Sequence, residues 1–223
     1  MRRAFIFDLD GVITDTAKYH YLAWKELAAE LGYDFSKEQG ERLKGVSRMQ
    51  SLEIVLESCS GLKLTQKEKE CLAEQKNQHY LHMIERLTSA DILPGIEIFL
   101  RNVKKEGFLT ALGSASKSGR MILEKLGIRS LFDVVVDGNI IQKAKPDPEV
   151  FLKAAGLLET EPGHCIVIED ARAGVEAAKA GGMYCIAIGE ERYLKQADLV
   201  LHSTGQLAGI KLNQLLETLE GQI

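Results

Sequence analysis

The chain has 223 residues, 45% hydrophobic and 27% charged, with a formal net charge of −4 at pH 7. That length can fill a core in one or two domains, and the mild acidity gives no reason to expect nucleic acid or an anionic membrane as partner. Four scattered cysteines (Cys59, Cys71, Cys165, Cys185) without C-x-x-C spacing argue against a zinc or disulfide framework, and no apolar run reaches membrane-spanning length.

The basic start Met1-Arg2-Arg3 leads into too short an apolar stretch for a signal peptide, so the reading is a soluble, cytoplasmic protein. Residues 4–7 are apolar and β-favouring and run into Asp8-Leu9-Asp10-Gly11, which reads as a strand buried on both faces in a parallel sheet. Alternation along an extended strand points Asp8 and Asp10 to one side. Two readings stand at this point: the acids cap the next helix, or they serve a ligand site at the carboxyl end of the sheet.

Residues 16–88 follow a helical pattern. His20, Trp24, Leu27 and Leu31 share one face of a first helix that stops at Gly32, and further helices are expected over 48–57 and 66–85. So many helical residues exceed what one crossover needs, so 16–88 is expected to be an inserted helical domain, with 1–15 and 89–223 forming the other domain. His79 and His82 have the spacing of solvent-facing positions and receive no role.

After Leu93-Pro94-Gly95 a helix is expected to about residue 106, then a strand over 108–113 followed by Ser114-Ala115-Ser116 and a helix ending near Gly127. A short strand at 134–136 and a helix opened by Pro146-Asp147-Pro148 come next. The run Cys165-Ile166-Val167-Ile168 ends in Glu169-Asp170, as the first strand ends in acids. A helix to about Ala180, a strand over 185–188, an edge strand over 198–201 and one C-terminal helix from about 205 to 219 complete the chain. Alternating strands and helices make the fold class α/β: a Rossmann-like parallel sheet with helices on both faces and an inserted α-helical cap.

Asp8, Asp10, Glu169 and Asp170, with Ser114, Ser116 and Lys145, all fall near the carboxyl edge of that sheet. Several carboxylates in one pocket repel unless a cation is bound, and an all-oxygen set suits Mg²⁺. A hydroxyl and a lysine beside such a metal can hold a phosphoryl group, and an aspartate can serve as its covalent acceptor.

Asp8-Leu9-Asp10-Gly11-Val12, Ser114-Ala115-Ser116, Lys145-Pro146 and Glu169-Asp170 together resemble, in order and spacing, the four motifs of the haloacid dehalogenase superfamily of phosphotransferases. The helical insert matches that family's cap position. Within the superfamily, His20, Trp24 and the loop 42–48 with Ser51 and Leu52 resemble the sugar-phosphate mutase branch.

The resemblance implies the following roles. Asp8 is the nucleophile and a Mg²⁺ ligand; Asp10 is the general acid/base and lends its backbone carbonyl to the metal; Glu169 and Asp170 complete the metal site. Ser114, Ala115, Ser116, Lys117 and Lys145 bind the transferring phosphoryl group. In the cap, His20, Trp24, Lys44, Gly45, Val46, Ser47, Arg48, Ser51 and Lys76 contact substrate, with Arg48 gripping the non-reacting phosphate, His20 positioning Asp10 on closure and Thr16 at the hinge. The implied activity is interconversion of β-D-glucose 1-phosphate and glucose 6-phosphate by a monomer, with one Mg²⁺ per site and glucose 1,6-bisphosphate as activator and intermediate. A phosphatase with the same nucleophile and metal is the alternative.

Structural alternatives stand beside these roles: a hydrogen-bonded core histidine for His20, cap packing for Trp24, a solvated basic face for Lys44 and Arg48, and helix capping for Ser114 and Ser116. Ser118 departs from the longer amide side chain of the mutase branch, which bears on specificity rather than reaction class.

Overall fold

The computed structural model describes residues 3–43, 48–57 and 62–220. The chain divides into two compact units, one of residues 1–15 and 88–223 and one of residues 16–87.

The first unit is a six-stranded sheet of β1 (Ala4–Phe7), β2 (Leu109–Gly113), β3 (Val134–Val136), β4 (Cys165–Glu169), β5 (Tyr184–Ile188) and β6 (Leu199–Leu201). The order is β3-β2-β1-β4-β5-β6 and every pairing is parallel. The chain leaves β1 towards β2 in one half and β4 in the other, so strand order reverses beside β1, where sheets of this kind bind ligands.

All four β1 side chains are fully buried because each face of the strand meets a separate core. Phe5 and Phe7 project to one side and stack edge-on with Phe99, with ring centroids 5.4 and 6.1 Å apart. Ala4 and Ile6 project to the other and join Val150, Phe151 and Val175. Burying each large side chain here contributes about 1.5–3 kcal/mol.

The helix supplying Phe99 is numbered α5 (Ile96–Lys105) in chain order. It buries Ile96, Phe99, Leu100 and Val103 at helical spacing and begins after Gly95, whose φ of +85° and close approach to the Thr204 carbonyl exclude a side chain. Helices α6 (Gly119–Lys125), α7 (Glu149–Leu157) and α8 (Arg172–Ala180) connect the later strands.

The C-terminus departs from expectation. Instead of one helix over 205–219 there is a 3₁₀ segment, Thr204–Gly209, then α9 (Leu212–Glu220). Ile210 is extended (φ −71°, ψ 127°) after Gly209, and two glycines in six residues cannot sustain the helix.

The second unit is helical: α1 (Ala17–Glu30), α2 (Lys37–Glu41), α3 (Arg48–Glu57) and α4 (Gln66–Ile84). Trp24, Leu27, Ala28, Phe35, Leu52, Val55 and Ala73 form its core. Thr65 and Glu68 form a reciprocal capping box that starts α4. Helix α2 was not expected. It is one turn and a half, too short for periodicity, although Ser36 with Gln39 three residues on is a capping-box signature. Among the described residues no helix is long and apolar enough to cross a membrane.

Candidate active site

Asp8 continues the β1 ladder, its N–H donating to the Ile168 carbonyl at 2.9 Å, so its side chain emerges beside the end of β4. The chain then turns tightly: Gly11 N–H donates to the Thr14 carbonyl at 2.9 Å, and Leu93 N–H to the Ile13 carbonyl at 2.9 Å. Gly11 has φ +77°, and a Cβ there would overlap the Asp170 carboxylate. The helix-cap reading of Asp8 and Asp10 fails, since α1 starts at Ala17 with Thr16 as its N-cap residue.

Lys145 bridges the strand ends. Its ammonium donates to Asp8 Oδ1 at 2.5 Å and Glu169 Oε1 at 2.8 Å, and it lies 4.6 Å from the Phe151 ring centroid. The other Glu169 oxygen accepts the Asp170 and Ala171 N–H groups at 2.6 and 2.7 Å. Gly174 in α8 leaves the space that the Glu169 carboxylate fills. A two-oxygen acid at this strand end is thereby locked in one rotamer.

Ser114 is buried after β2, and its hydroxyl accepts the Ser116 N–H at 3.1 Å; Ser116 Oγ in turn accepts the Ser118 N–H at 3.3 Å. The two hydroxyls therefore brace their own loop, while Ser118 occupies the N-cap position of α6 without a side-chain cap bond. Sequence reasoning missed the segment that holds this loop from behind. Asn139 donates to the Lys117 carbonyl at 2.8 Å and to Asp137 Oδ1 at 3.0 Å, and Gly138 N–H donates to the Ser116 carbonyl at 3.1 Å. The Asp-Gly-Asn triplet after β3 is the turn signal that could have flagged it.

Burial governs the electrostatics. It raises the Asp8 carboxyl to about 6 against the pull of Lys145, with Glu169 adding to the rise. Asp10 rises further, to about 8, through burial and then the Asp8 charge, and its Oδ1 is buried with no hydrogen-bond partner among the described residues. Burial also opposes the charge on Lys145, but Asp8 and Glu169 overcome it and raise the ammonium above its usual range. Asp10 is thus neutral and proton-bearing near pH 7, beside an acid held by a lysine. Two neighbouring carboxyls with separated affinities can divide nucleophilic and proton-transfer work.

Oxygens of Asp8, Glu169 and Asp170 lie within 4.8 Å of one another. Burial, then Glu169 and Asp8, raise the Asp170 carboxyl too. Three converging carboxyls whose ionised forms repel one another favour a bound cation, and an all-oxygen donor set of this kind fits a hard divalent cation such as Mg²⁺.

In the helical unit, Lys76 is 3% exposed, and among the described residues no acid pairs with it. Its ammonium lies 2.8 Å from His20 Nδ1 and over the rings of Trp24 and Tyr80, at 4.9 and 5.1 Å from their centroids. While Lys76 is protonated it can only donate, so Nδ1 is then the acceptor, and burial with Lys76 and Arg48 lowers the His20 pKa to about 3, keeping the ring neutral. Arg48 bonds Glu74 at 3.2 Å and Asn77 at 2.8 Å. Trp24 and Ser51 are buried, and Trp24 packs into this unit's core with Leu27 and Leu52. Thr16 is buried at the unit boundary, and its hydroxyl has no hydrogen-bond partner among the described residues. Lys44, Gly45, Val46 and Ser47 lie outside the described residues. His79 corrects another expectation: about four-fifths of its side chain is buried, between Glu26 and Glu30 at 3.5 and 3.6 Å, because α4 packs along α1.

Burial and Arg48 lower the Lys76 pKa to about 7. Between pH 7 and 10.5 the unfolded chain therefore binds more protons than the folded one, so stability should rise with pH across that window. The cost below pH 7 is a few kcal/mol at most. Lys76→Met should raise the melting temperature at pH 6.5, with its advantage over wild type shrinking towards pH 10. An advantage independent of pH would show that Lys76 carries no such cost.

A sequence profile of haloacid dehalogenase-like hydrolases matches residues 2–182. The chain belongs to the haloacid dehalogenase-like hydrolase family. It is an enzyme of that family. A β-phosphoglucomutase of Bacillus subtilis is 44% identical over 206 residues, covering 92% of this chain and 91% of that protein. The crystal structure of a β-phosphoglucomutase from Clostridium difficile aligns over 100% of this chain and 99% of its own, with a TM-score of 0.89 and 43% identity. A phosphorylated carbohydrates phosphatase of Thermotoga maritima is 28% identical over 97% of this chain and 98% of that protein.

Proposed function

We propose that this protein interconverts β-D-glucose 1-phosphate and glucose 6-phosphate through an aspartyl-phosphate and glucose 1,6-bisphosphate. The observation that carries the reading is 44% identity to a β-phosphoglucomutase along nearly the full length of both chains, the helical unit included. We read the Asp8-Lys145-Glu169 constellation as the reacting centre, the helical unit as a cap, and the protein as a cytoplasmic monomer.

Asp8, held by Lys145, attacks the phosphorus of a sugar bisphosphate, and the phosphorus–oxygen bond to the sugar breaks. The proton on Asp10 passes to the departing sugar oxygen. In the return direction Asp10 takes the proton from the attacking sugar hydroxyl, and the phosphoryl group leaves Asp8 for that oxygen. Glucose 1,6-bisphosphate is thereby consumed and regenerated, which is why it serves as activator and as intermediate. Lys145 and Ser114, with the Ser116 and Lys117 loop, orient the transferring group. Arg48 and Lys76 are cationic groups suited to the phosphate that does not react. Asp8, Glu169, Asp170 and the Asp10 backbone carbonyl would hold Mg²⁺, which supplies neutralisation of phosphoryl charge when bound.

The deciding experiment incubates purified protein with β-glucose 1-phosphate, Mg²⁺ and trace glucose 1,6-bisphosphate. Glucose 6-phosphate should accumulate with little inorganic phosphate. Release of inorganic phosphate without glucose 6-phosphate would instead place the chain with the carbohydrate phosphatases it also resembles.

A further inference from the structure

The segment between β3 and α7 has no regular structure, yet it must deliver the Lys145 ammonium to two acids at once. Helix α7 reaches back to hold it. Glu149, in the first turn of α7, accepts the Gln142 N–H at 3.1 Å from each carboxylate oxygen and the Lys143 N–H at 2.6 Å. One turn on, Lys153 pairs with Glu149 at 2.6 Å and donates to the Ile140 carbonyl at 2.5 Å. Three backbone groups within residues 140–143 are thus tied to two side chains on one helix face. The tied segment ends two residues before Lys145. Asp147 extends the brace, its Oδ1 accepting the Glu149 N–H at 3.0 Å and its own N–H donating to the Ala144 carbonyl at 3.1 Å.

This arrangement differs from an ordinary helix-surface ion pair. Glu97 and Arg101 have the same i, i+4 spacing and meet at 2.7 Å, but among the described contacts they hold only each other. The Glu149 side chain is 18% exposed, against 43% for Glu97. The bond to Lys153 and the amides of Gln142 and Lys143 hold the Glu149 carboxyl down at about 2, so the brace keeps its charge through the neutral range.

We propose that Glu149 and Lys153 are positioning residues for Lys145, fixing the loop so that the ammonium meets Asp8 and Glu169 together. The inference rests on the reading of Asp8 as nucleophile. A long flexible lysine on an unbraced loop spends much of its time away from the reacting centre, and displacements of about 1 Å there cost up to about a hundredfold in rate. Neither residue touches the reacting atoms, so their effect must pass through the loop.

The test compares full-length wild type with Glu149→Ala, Glu149→Gln, Lys153→Met and the surface-pair control Glu97→Gln. Amide hydrogen exchange at Gln142 and Lys143 and mutase kcat are measured for each. Glu149→Ala should speed exchange at both amides and lower kcat about tenfold to a hundredfold. Glu149→Gln keeps an oxygen acceptor and should recover kcat to within about threefold of wild type; Lys153→Met should fall between, and Glu97→Gln should match wild type. Unchanged exchange in Glu149→Ala, or faster exchange with wild-type kcat, overturns the proposal. If Glu149→Ala does not fold, Lys153→Met decides: wild-type kcat and exchange there overturn it. Wild type that releases phosphate without mutase turnover sinks the mutase reading alone, and the same comparison is then made on phosphate release.

Discussion

Asp8→Asn should abolish turnover, lowering kcat by about 10⁴-fold or more, while the far-UV circular dichroism and melting temperature stay close to wild type. An amide oxygen at that position cannot form the aspartyl-phosphate, yet it can still accept a hydrogen bond from Lys145. The ammonium also keeps Glu169 at 2.8 Å, so no buried charge is stranded. Burial already sets the Asp8 pKa at about 6, above its ordinary 3.8. Its ionisation therefore costs stability increasingly from pH 3.8 to 6, and the asparagine variant is spared that cost at neutral pH. Steady-state kinetics with β-glucose 1-phosphate and a thermal melt check both halves. Turnover within tenfold of wild type would remove Asp8 as the nucleophile.

Asp10→Asn should lower kcat by about 10²–10⁴-fold, the usual range for loss of a positioned acid/base, and leave Mg²⁺ affinity within about threefold. The two readouts separate because the assigned proton carrier is the side chain and the assigned metal contact is the backbone carbonyl. Asn is isosteric but cannot exchange a proton with the sugar oxygen. In metal-free buffer the variant should also melt higher than wild type at pH 8. The folded Asp10 pKa, about 8, exceeds the ordinary carboxyl value of 3.8, so the folded state holds the extra proton between those limits and loses stability as pH rises through them. Asparagine carries no such loss. Unimpaired kcat would exclude the acid/base role, and a large loss of Mg²⁺ affinity would move the metal contact to the Asp10 carboxylate.

Much of this could be read from the chain because the signals are local. A continuous apolar run at residues 4–7 can be buried on both faces only in a covered sheet, and the structure places it between a face packed on Phe99 and a face packed on Val150, Phe151 and Val175. The cysteine reading also holds for the two cysteines in strands: Cys165 and Cys185 are buried free thiols. Where signals were short or shared, reading failed. Helix α2 has five residues, fewer than two turns, so periodicity could not reveal it. The chain beyond residue 204 alternates apolar and polar residues well enough to suggest one helix, but its glycines break it in two. His79 is covered for a reason that its own helix does not show. A helix's own pattern says which face is apolar, not which residues of a neighbouring helix will cover its polar positions.

The sequence alone determined the parallel α/β core, the inserted helical stretch and the set of polar residues at the strand ends, because strand alternation, helix period and turn chemistry act within a few residues. Tertiary structure decided how those residues differ. Asp8 and Asp10 are two similar acids on paper. In the fold, Lys145, 137 residues away, bonds Asp8 and not Asp10, and burial leaves Asp10 with the proton. Glu149 reads as an ordinary first-turn acid until the loop folds back onto it. Those distinctions come from long-range contact and desolvation, and neither is encoded in residue spacing.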